Sequence, residues 1–142
     1  MTETNYDRYL VPLPIEKDKG LGSDLARFVG ATHFEGAPFY FVWHPIPVIS
    51  SEPYFMIKDP HAHEFDQYLG FFAGDPMNLE DFHAEIELYL GDDRKKFVIA
   101  KPMMVHVPKG LIHGPLIFKK VDKPLVFLDI TMNAAYKRAP SK

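Results

Sequence analysis

The sequence contains no cysteine. A chain without thiols cannot form disulfides, bind a metal through thiolate sulfur or use a cysteine nucleophile. It also has no apolar run long enough to cross a bilayer, and its polar first residues, 1–6, lack the basic start and apolar core of a signal peptide. These absences favour a protein of the reducing cytoplasm that makes no membrane contact.

An excess of basic residues is missing as well, because 16 Lys and Arg stand against 19 Asp and Glu and give a formal net charge of -3. Nucleic acid is therefore not expected as a partner, since nothing in this balance would neutralise a phosphate backbone. With 142 residues, 46% of them apolar, the chain has the size and composition of one globular unit. We expect residues 1–142 to form a single domain.

The chain has 13 prolines and 9 glycines, and 14% of its residues are aromatic. This composition disfavours long helices and favours short strands joined by defined turns. Residues 1–23, called the N-terminal arm below, read as extended chain with at most one short strand, and residues 24–34 fit either a short helix or a strand. Apolar and alternating runs predict strands at 39–43, 54–57, 67–72, 84–90, 95–100, 103–107, 116–121 and 125–131.

About eight or nine short strands with little helix predict an all-β fold, because closing or doubling the sheet protects strand edges. A jelly-roll barrel is the leading architecture. An immunoglobulin-like sandwich is the alternative, but no cysteine pair flanks Trp43, the one tryptophan of the chain.

The histidines of the chain indicate a metal site. His61 and His63 are separated by one residue, a spacing that places two imidazoles on the same face of a strand. Gln67 is also at an odd-numbered position and would lie on that face. His113 follows a Pro-x-Gly turn and is a candidate for the ligand that closes the site. Seven histidines in a chain of this length give one His-x-His pair by chance about one time in three. The metal site is therefore predicted from the pair together with Gln67 and His113, and not from the pair alone.

The same residues resemble the two motifs of the cupin superfamily, G(x)5-HxH-(x)3,4-E-(x)6-G and G(x)5-PxG-(x)2-H-(x)3-N. The resemblance covers residues 59–130 and departs from the motifs at Phe55, Pro102 and Ile117, none of which is at a ligand position. Gln67 stands where the first motif has glutamate. The matching positions are His61, His63 and Gly74 in the first motif and Pro108, Gly110 and His113 in the second.

The resemblance implies one divalent transition metal, Fe, Mn, Ni, Co or Zn, held by His61, His63, Gln67 and His113. Glu85 and Glu87 are the reserve carboxylates if Gln67 is not the fourth ligand. Replacing Gln67 by glutamate is expected to keep or tighten metal binding. His106 is a candidate acid or base in the strand before Pro108, whereas His33, His44 and His83 are expected to be structural or solvated.

Two classes of function remain open. The first is a metalloenzyme that acts on a small oxygen-rich organic molecule as a dioxygenase, decarboxylase or isomerase, because a partly coordinated ion keeps positions free for substrate. The second is a non-catalytic domain that binds or senses a small ligand in the same pocket. We also expect a homodimer formed through the N-terminal arm and the aromatic strand at 39–43.

Overall fold

The computed structural model describes residues 6–133. A single 3-10 turn spans Tyr6–Tyr9, and one four-residue helix, α1, spans Gly30–His33. Neither of these short helices is long and apolar enough to cross a membrane. The remaining regular structure consists of ten strands, β1 Ile15–Lys17, β2 Asp24–Val29, β3 Tyr40–Ile46, β4 Tyr54–Ile57, β5 Gln67–Ala73, β6 Ala84–Leu90, β7 Lys95–Ile99, β8 Met103–Val107, β9 His113–Val121 and β10 Leu125–Thr131.

The strands form two antiparallel sheets. The larger sheet has six strands in the order β1-β2-β3-β10-β5-β8, and the smaller has four in the order β4-β9-β6-β7. Strand β10 lies between β3 and β5, so the last strand of the described residues is at the centre of the larger sheet. The inner faces of the two sheets share one hydrophobic core. The predicted all-β jelly-roll fold is confirmed.

All eight predicted strands are present, and four of them, β4, β6, β8 and β10, begin and end where the sequence places them. The count is ten because the N-terminal arm contributes β1 and the ambiguous segment at 24–34 contributes β2 followed by α1. Strand β3 is longer than predicted and continues through Pro45 to Ile46. The pairing of β2 with β3 ends at Trp43, so Pro45 needs no backbone donor toward β2.

The interior has an apolar part and a polar part. Phe71, Phe118 and Phe127 are fully buried where the sheets meet, with the ring of Phe127 5.1 Å from Phe71 and 5.9 Å from Phe118. Toward the other end of β10 the inward positions change to Asp129 and Thr131. The fold thus places polar side chains beside the segment that carries the predicted ligands.

Candidate metal centre

Backbone hydrogen bonds bring the two histidine segments together. His61 N donates to His113 O at 3.0 Å, and His113 N donates to His61 O at 2.9 Å, which makes an isolated antiparallel bridge between them. Gly110 N also donates to His63 O at 2.9 Å. Main-chain hydrogen bonds therefore hold the segment of His61 and His63 against the start of β9 and the turn before it.

The side chains of His61, His63 and His113 converge on one point. Their ligand atoms all lie within 4.8 Å of one another, and the ring centroids are 4.5–5.0 Å apart. His63 and His113 are 2% and 0% exposed. Three imidazoles gathered in this way form a group that can hold a metal ion through nitrogen.

Hydrogen bonds to the backbone fix which nitrogen of two rings faces the site. His61 Nδ1 lies 2.9 Å from Asp59 O, and His113 Nδ1 lies 3.1 Å from Leu111 O. A carbonyl oxygen can only accept, so each Nδ1 carries the proton and donates it. The neutral ring then has its lone pair on Nε2, the nitrogen available to a metal.

Two glycines shape the chain around His113. Gly110 has a φ of +86°, which the Pro-x-Gly turn requires and which favours glycine. Gly114 has a φ of +106°, and a Cβ there would lie 3.0 Å from Ile57 Cγ2 and 3.2 Å from Asp59 O. The absence of a side chain at Gly114 thus lets β9 approach the segment that leads into His61.

Gln67 lies on the inner face at the start of β5 and is 2% exposed. Its Nε2 donates to Asp129 Oδ1 at 2.6 Å. Since a carboxylate oxygen accepts, this contact assigns the NH2 group to the Asp129 side and directs Oε1 away from it. Gln67 Oε1 is buried and has no hydrogen-bond partner within residues 6–133.

Asp129 is a residue that the sequence argument did not select. Burial raises its pKa to about 6, while the hydrogen bond from Gln67 and the charge of Arg27 act in the opposite direction. Arg27 itself is bound to the Tyr40 hydroxyl and, at 2.9 Å, to Glu16 Oε1. The signal in the sequence was a single acid in an apolar strand, at the same parity as Phe127.

The structure does not bring the reserve carboxylates or His106 to the histidine cluster. Glu85 and Glu87 alternate along β6 with inward Ile86, and Glu87 lies 3.7 Å from Lys96 on the outside. The imidazole of His106 stacks on the ring of Tyr68 with 4.9 Å between centroids, and its side chain is 51% exposed. Strand alternation explains all three, because each follows an inward neighbour and must point outward.

The other three histidines lie apart from the cluster. His83 is on the surface with Nε2 2.7 Å from Asp81 Oδ1, and His33 stacks on Phe28. His44 is an interior residue whose ring lies 5.6 Å from that of Phe127. Burial lowers the pKa of His44 despite Asp18, whose carboxylate is 3.5 Å from Nδ1.

Comparison with known proteins shows where the same fold occurs. No family model matches the chain, and no curated protein matches it. Solved structures do: the polyketide cyclase RemF from Streptomyces resistomycificus aligns with a TM-score of 0.52 and 13% identity over 99% of this chain and 82% of its own. An oxalate decarboxylase from Lactobacillus farciminis, in a formate complex, aligns with a TM-score of 0.54 and 12% identity over 88% of this chain.

The chain has the cupin fold. A third solved structure has the same fold, that of oxalate decarboxylase from Bacillus subtilis, a protein with Mn(II) centres. It aligns with a TM-score of 0.50 and 11% identity over 88% of this chain. The chain spans 32% and 28% of the length of the two decarboxylase chains. At these identities the likeness establishes the fold, and the site has to be judged from its own residues.

The residues present fit a divalent metal. Two buried imidazoles and a third beside them form a nitrogen donor set that suits first-row divalent ions. The buried Oε1 of Gln67 is the observation that favours a fourth ligand, because a buried acceptor without a partner carries a desolvation cost that a cation would offset.

Proposed function

We propose that this cupin is a metalloenzyme that acts on a small, oxygen-rich organic molecule. The observation that carries the proposal is the convergence of three histidines from two separate segments within 4.8 Å, in a largely buried position. His61, His63 and His113 would hold one divalent ion through nitrogen, with Gln67 Oε1 as the fourth donor. The ion could be Fe, Mn, Ni, Co or Zn, since all accept these donors.

The donor set leaves room for a substrate. Three or four protein ligands do not fill an octahedral ion, and the open positions suit a molecule that offers carboxylate or carbonyl oxygens. A divalent ion bound here would supply Lewis acidity toward those oxygens. Two of the structural relatives are called oxalate decarboxylase, and one of these names Mn(II) centres, which supports substrates and ions of this kind.

Inner-face residues of the larger sheet supply polar groups next to this region. Arg27, Val42, Asp129 and Leu69 pair across four neighbouring strands, so their side chains share one face. Val42 and Leu69 are 3% and 0% exposed, which marks that face as the inner one. The guanidinium of Arg27 and the carboxyl of Asp129 can therefore orient a polar substrate and hold a proton, while the surrounding apolar residues exclude water.

The proposal predicts metal-dependent turnover. Protein without a tag, loaded with Mn(II) or Fe(II), is expected to convert at least one member of a panel of small dicarboxylic acids, 2-oxo acids and 1,3-diketones. CO2 release, O2 uptake and ultraviolet absorbance distinguish decarboxylation, oxygenation and isomerisation. His113→Ala is the matched control and should lose the activity.

A different outcome would favour the binding or sensor alternative. If the carboxylates change the spectrum of the bound metal without any turnover across the panel, the pocket binds ligand but does not transform it. If neither a spectral change nor turnover is seen with fully loaded protein, the proposed substrate class is wrong.

The cytoplasmic location and the single-domain organisation of residues 1–142 stay predictions.

We further propose that the chain forms a homodimer through an apolar groove at the N-terminal edge of the larger sheet. Trp43 is 42% exposed, and Leu13 and Ile15 lie beside it. Asp24 is the one charged residue lining this groove within residues 6–133. A second copy would offer the same apolar surface, so that a two-fold contact covers both.

Light scattering is expected to give twice the chain mass at micromolar concentration. Trp43→Glu should shift the protein toward monomer, because a carboxylate would be buried in an apolar contact. Phe97→Glu is the control, since Phe97 is equally exposed, at 42%, but lies on β7 of the other sheet. Monomeric wild-type protein, or equal effects of the two substitutions, would contradict the proposed interface.

A further inference from the structure

We infer that Asp129 is a positioning residue for the metal centre, which holds the Gln67 amide so that its oxygen, and not its NH2 group, is offered to the ion. The inference rests on the proposed function, in which Gln67 Oε1 is a ligand. Its basis is the 2.6 Å hydrogen bond from Gln67 Nε2 to Asp129 Oδ1 and the buried Oε1 on the other side of the same amide.

The two residues are neighbours because of strand register. Gln67 pairs with Thr131 across β5 and β10, and Asp129 pairs with Leu69, so the two polar side chains are diagonal neighbours on the inner face. Diagonal pairs of this kind are within reach of long side chains. The contact joins residues 62 positions apart, of which Gln67 is buried and Asp129 is partly buried.

The hydrogen bond determines what the amide can offer. With NH2 committed to the carboxyl group, the amide can present only oxygen to the site, which is the atom that a divalent cation binds. Without the carboxyl group, either end of the amide could face the ion. Asp129 therefore acts on the metal through Gln67, as outer carboxylates act through metal-bound imidazoles.

The contact between Gln67 and Asp129 has a consequence for substitution. Gln67→Glu would remove the N–H donor and set two carboxyl groups at hydrogen-bond distance. The hydrogen bond that orients the side chain at position 67 would then be lost. The substitution therefore does not restore the cupin motif unless position 129 supplies a donor at the same time.

The test is a charge swap measured by Mn(II) affinity at pH 7.5. Gln67→Glu alone is expected to weaken Mn(II) binding by about 10- to 100-fold, the usual effect of disturbing an outer-shell partner. The double variant Gln67→Glu with Asp129→Asn is expected to recover most of that loss, because the asparagine amide can donate to the new carboxylate. The electron paramagnetic resonance spectrum of bound Mn(II) should differ between wild type and the double variant, because the fourth ligand changes from amide to carboxylate.

A second pair of variants separates positioning from simple packing. Asp129→Asn keeps an acceptor oxygen for Gln67 Nε2 and should bind Mn(II) more tightly than Asp129→Leu, which has a similar volume and no acceptor. Circular dichroism of the metal-free proteins checks their folding. If Gln67→Glu fails to fold while the double variant folds, the conflict between the two carboxyl groups is supported by that result.

Additive effects of the two substitutions in the swap would overturn the inference, because independent sites do not couple. An unfolded double variant, or a Gln67→Glu protein that binds Mn(II) as tightly as wild type, would overturn it too. Failure of the proposed function looks different: wild-type protein would then bind no Mn(II) at all, or would bind Mn(II) and turn over no member of the substrate panel. The two ideas can thus be rejected separately.

Discussion

His63→Ala is expected to weaken the binding of a divalent metal by at least about 100-fold, exceeding the typical effect of an outer-shell change. The imidazole is 2% exposed and belongs to the group whose ligand atoms lie within 4.8 Å. At a metal concentration of 100 times Kd, binding stabilises a protein by about 2.7 kcal/mol. A hundredfold weaker Kd leaves about 0.4 kcal/mol, so the rise in Tm on adding metal should nearly vanish.

His83→Ala is the matched control for this experiment. His83 is a surface residue bound to Asp81 and lies away from the cluster, so its loss should leave metal affinity unchanged. Isothermal titration with Mn(II) or Zn(II) and melting curves with and without metal provide the two measurements. Equal affinities for the two variants would contradict the assignment of His63 as a ligand.

Phe127→Ala is expected to lower the free energy of unfolding by about 3–5 kcal/mol. The ring is 1% exposed and lies between Phe71 on its own sheet and Phe118 on the opposite one. Removing it leaves a cavity where the two sheets meet, and the lost contacts add to the lost transfer free energy. Denaturant unfolding of the metal-free protein measures the change.

The same variant separates the core from the metal centre. The folded Phe127→Ala protein should keep its metal affinity within a few-fold. Phe127 precedes Asp129 by two residues on β10, and its ring packs against Phe71 and Phe118 in the apolar core. Phe97→Ala, at an exposed position on β7, should cost less than about 1 kcal/mol. A loss of metal binding in folded Phe127→Ala protein would show that the core and the site are not independent.

The strands were predictable where the sequence alternates. Residues 84–90 alternate between Ile86 or Leu88 and the glutamates, and the structure places this strand at the predicted bounds with the apolar side inward. The segment at 24–34 was ambiguous because it contains two elements, β2 and α1, in ten residues. Tertiary pairing with β1 and β3, which no local pattern reveals, decides where one ends and the other begins.

The metal centre was predictable in its histidines and not in its support. A two-residue spacing and a Pro-x-Gly turn suggest that His61, His63 and His113 meet, although His63 lies in irregular chain before β5 and not in a strand. The contact between Gln67 and Asp129 depends on the register of β5 against β10. The sequence does not reveal that register. The expectation that glutamate at position 67 would keep or tighten metal binding was therefore made without knowledge of the Asp129 carboxyl group beside it.

X-ray absorption spectroscopy of untagged protein loaded with one equivalent of Zn(II) tests the central claim most directly, because it counts the imidazoles on the ion. We expect three imidazole nitrogens at about 2.0–2.1 Å from the zinc ion and at least one oxygen ligand at a similar distance. His113→Ala should lower the imidazole count. A spectrum of wild-type protein with one imidazole or none, or a spectrum unchanged by His113→Ala, would contradict the proposed metal centre.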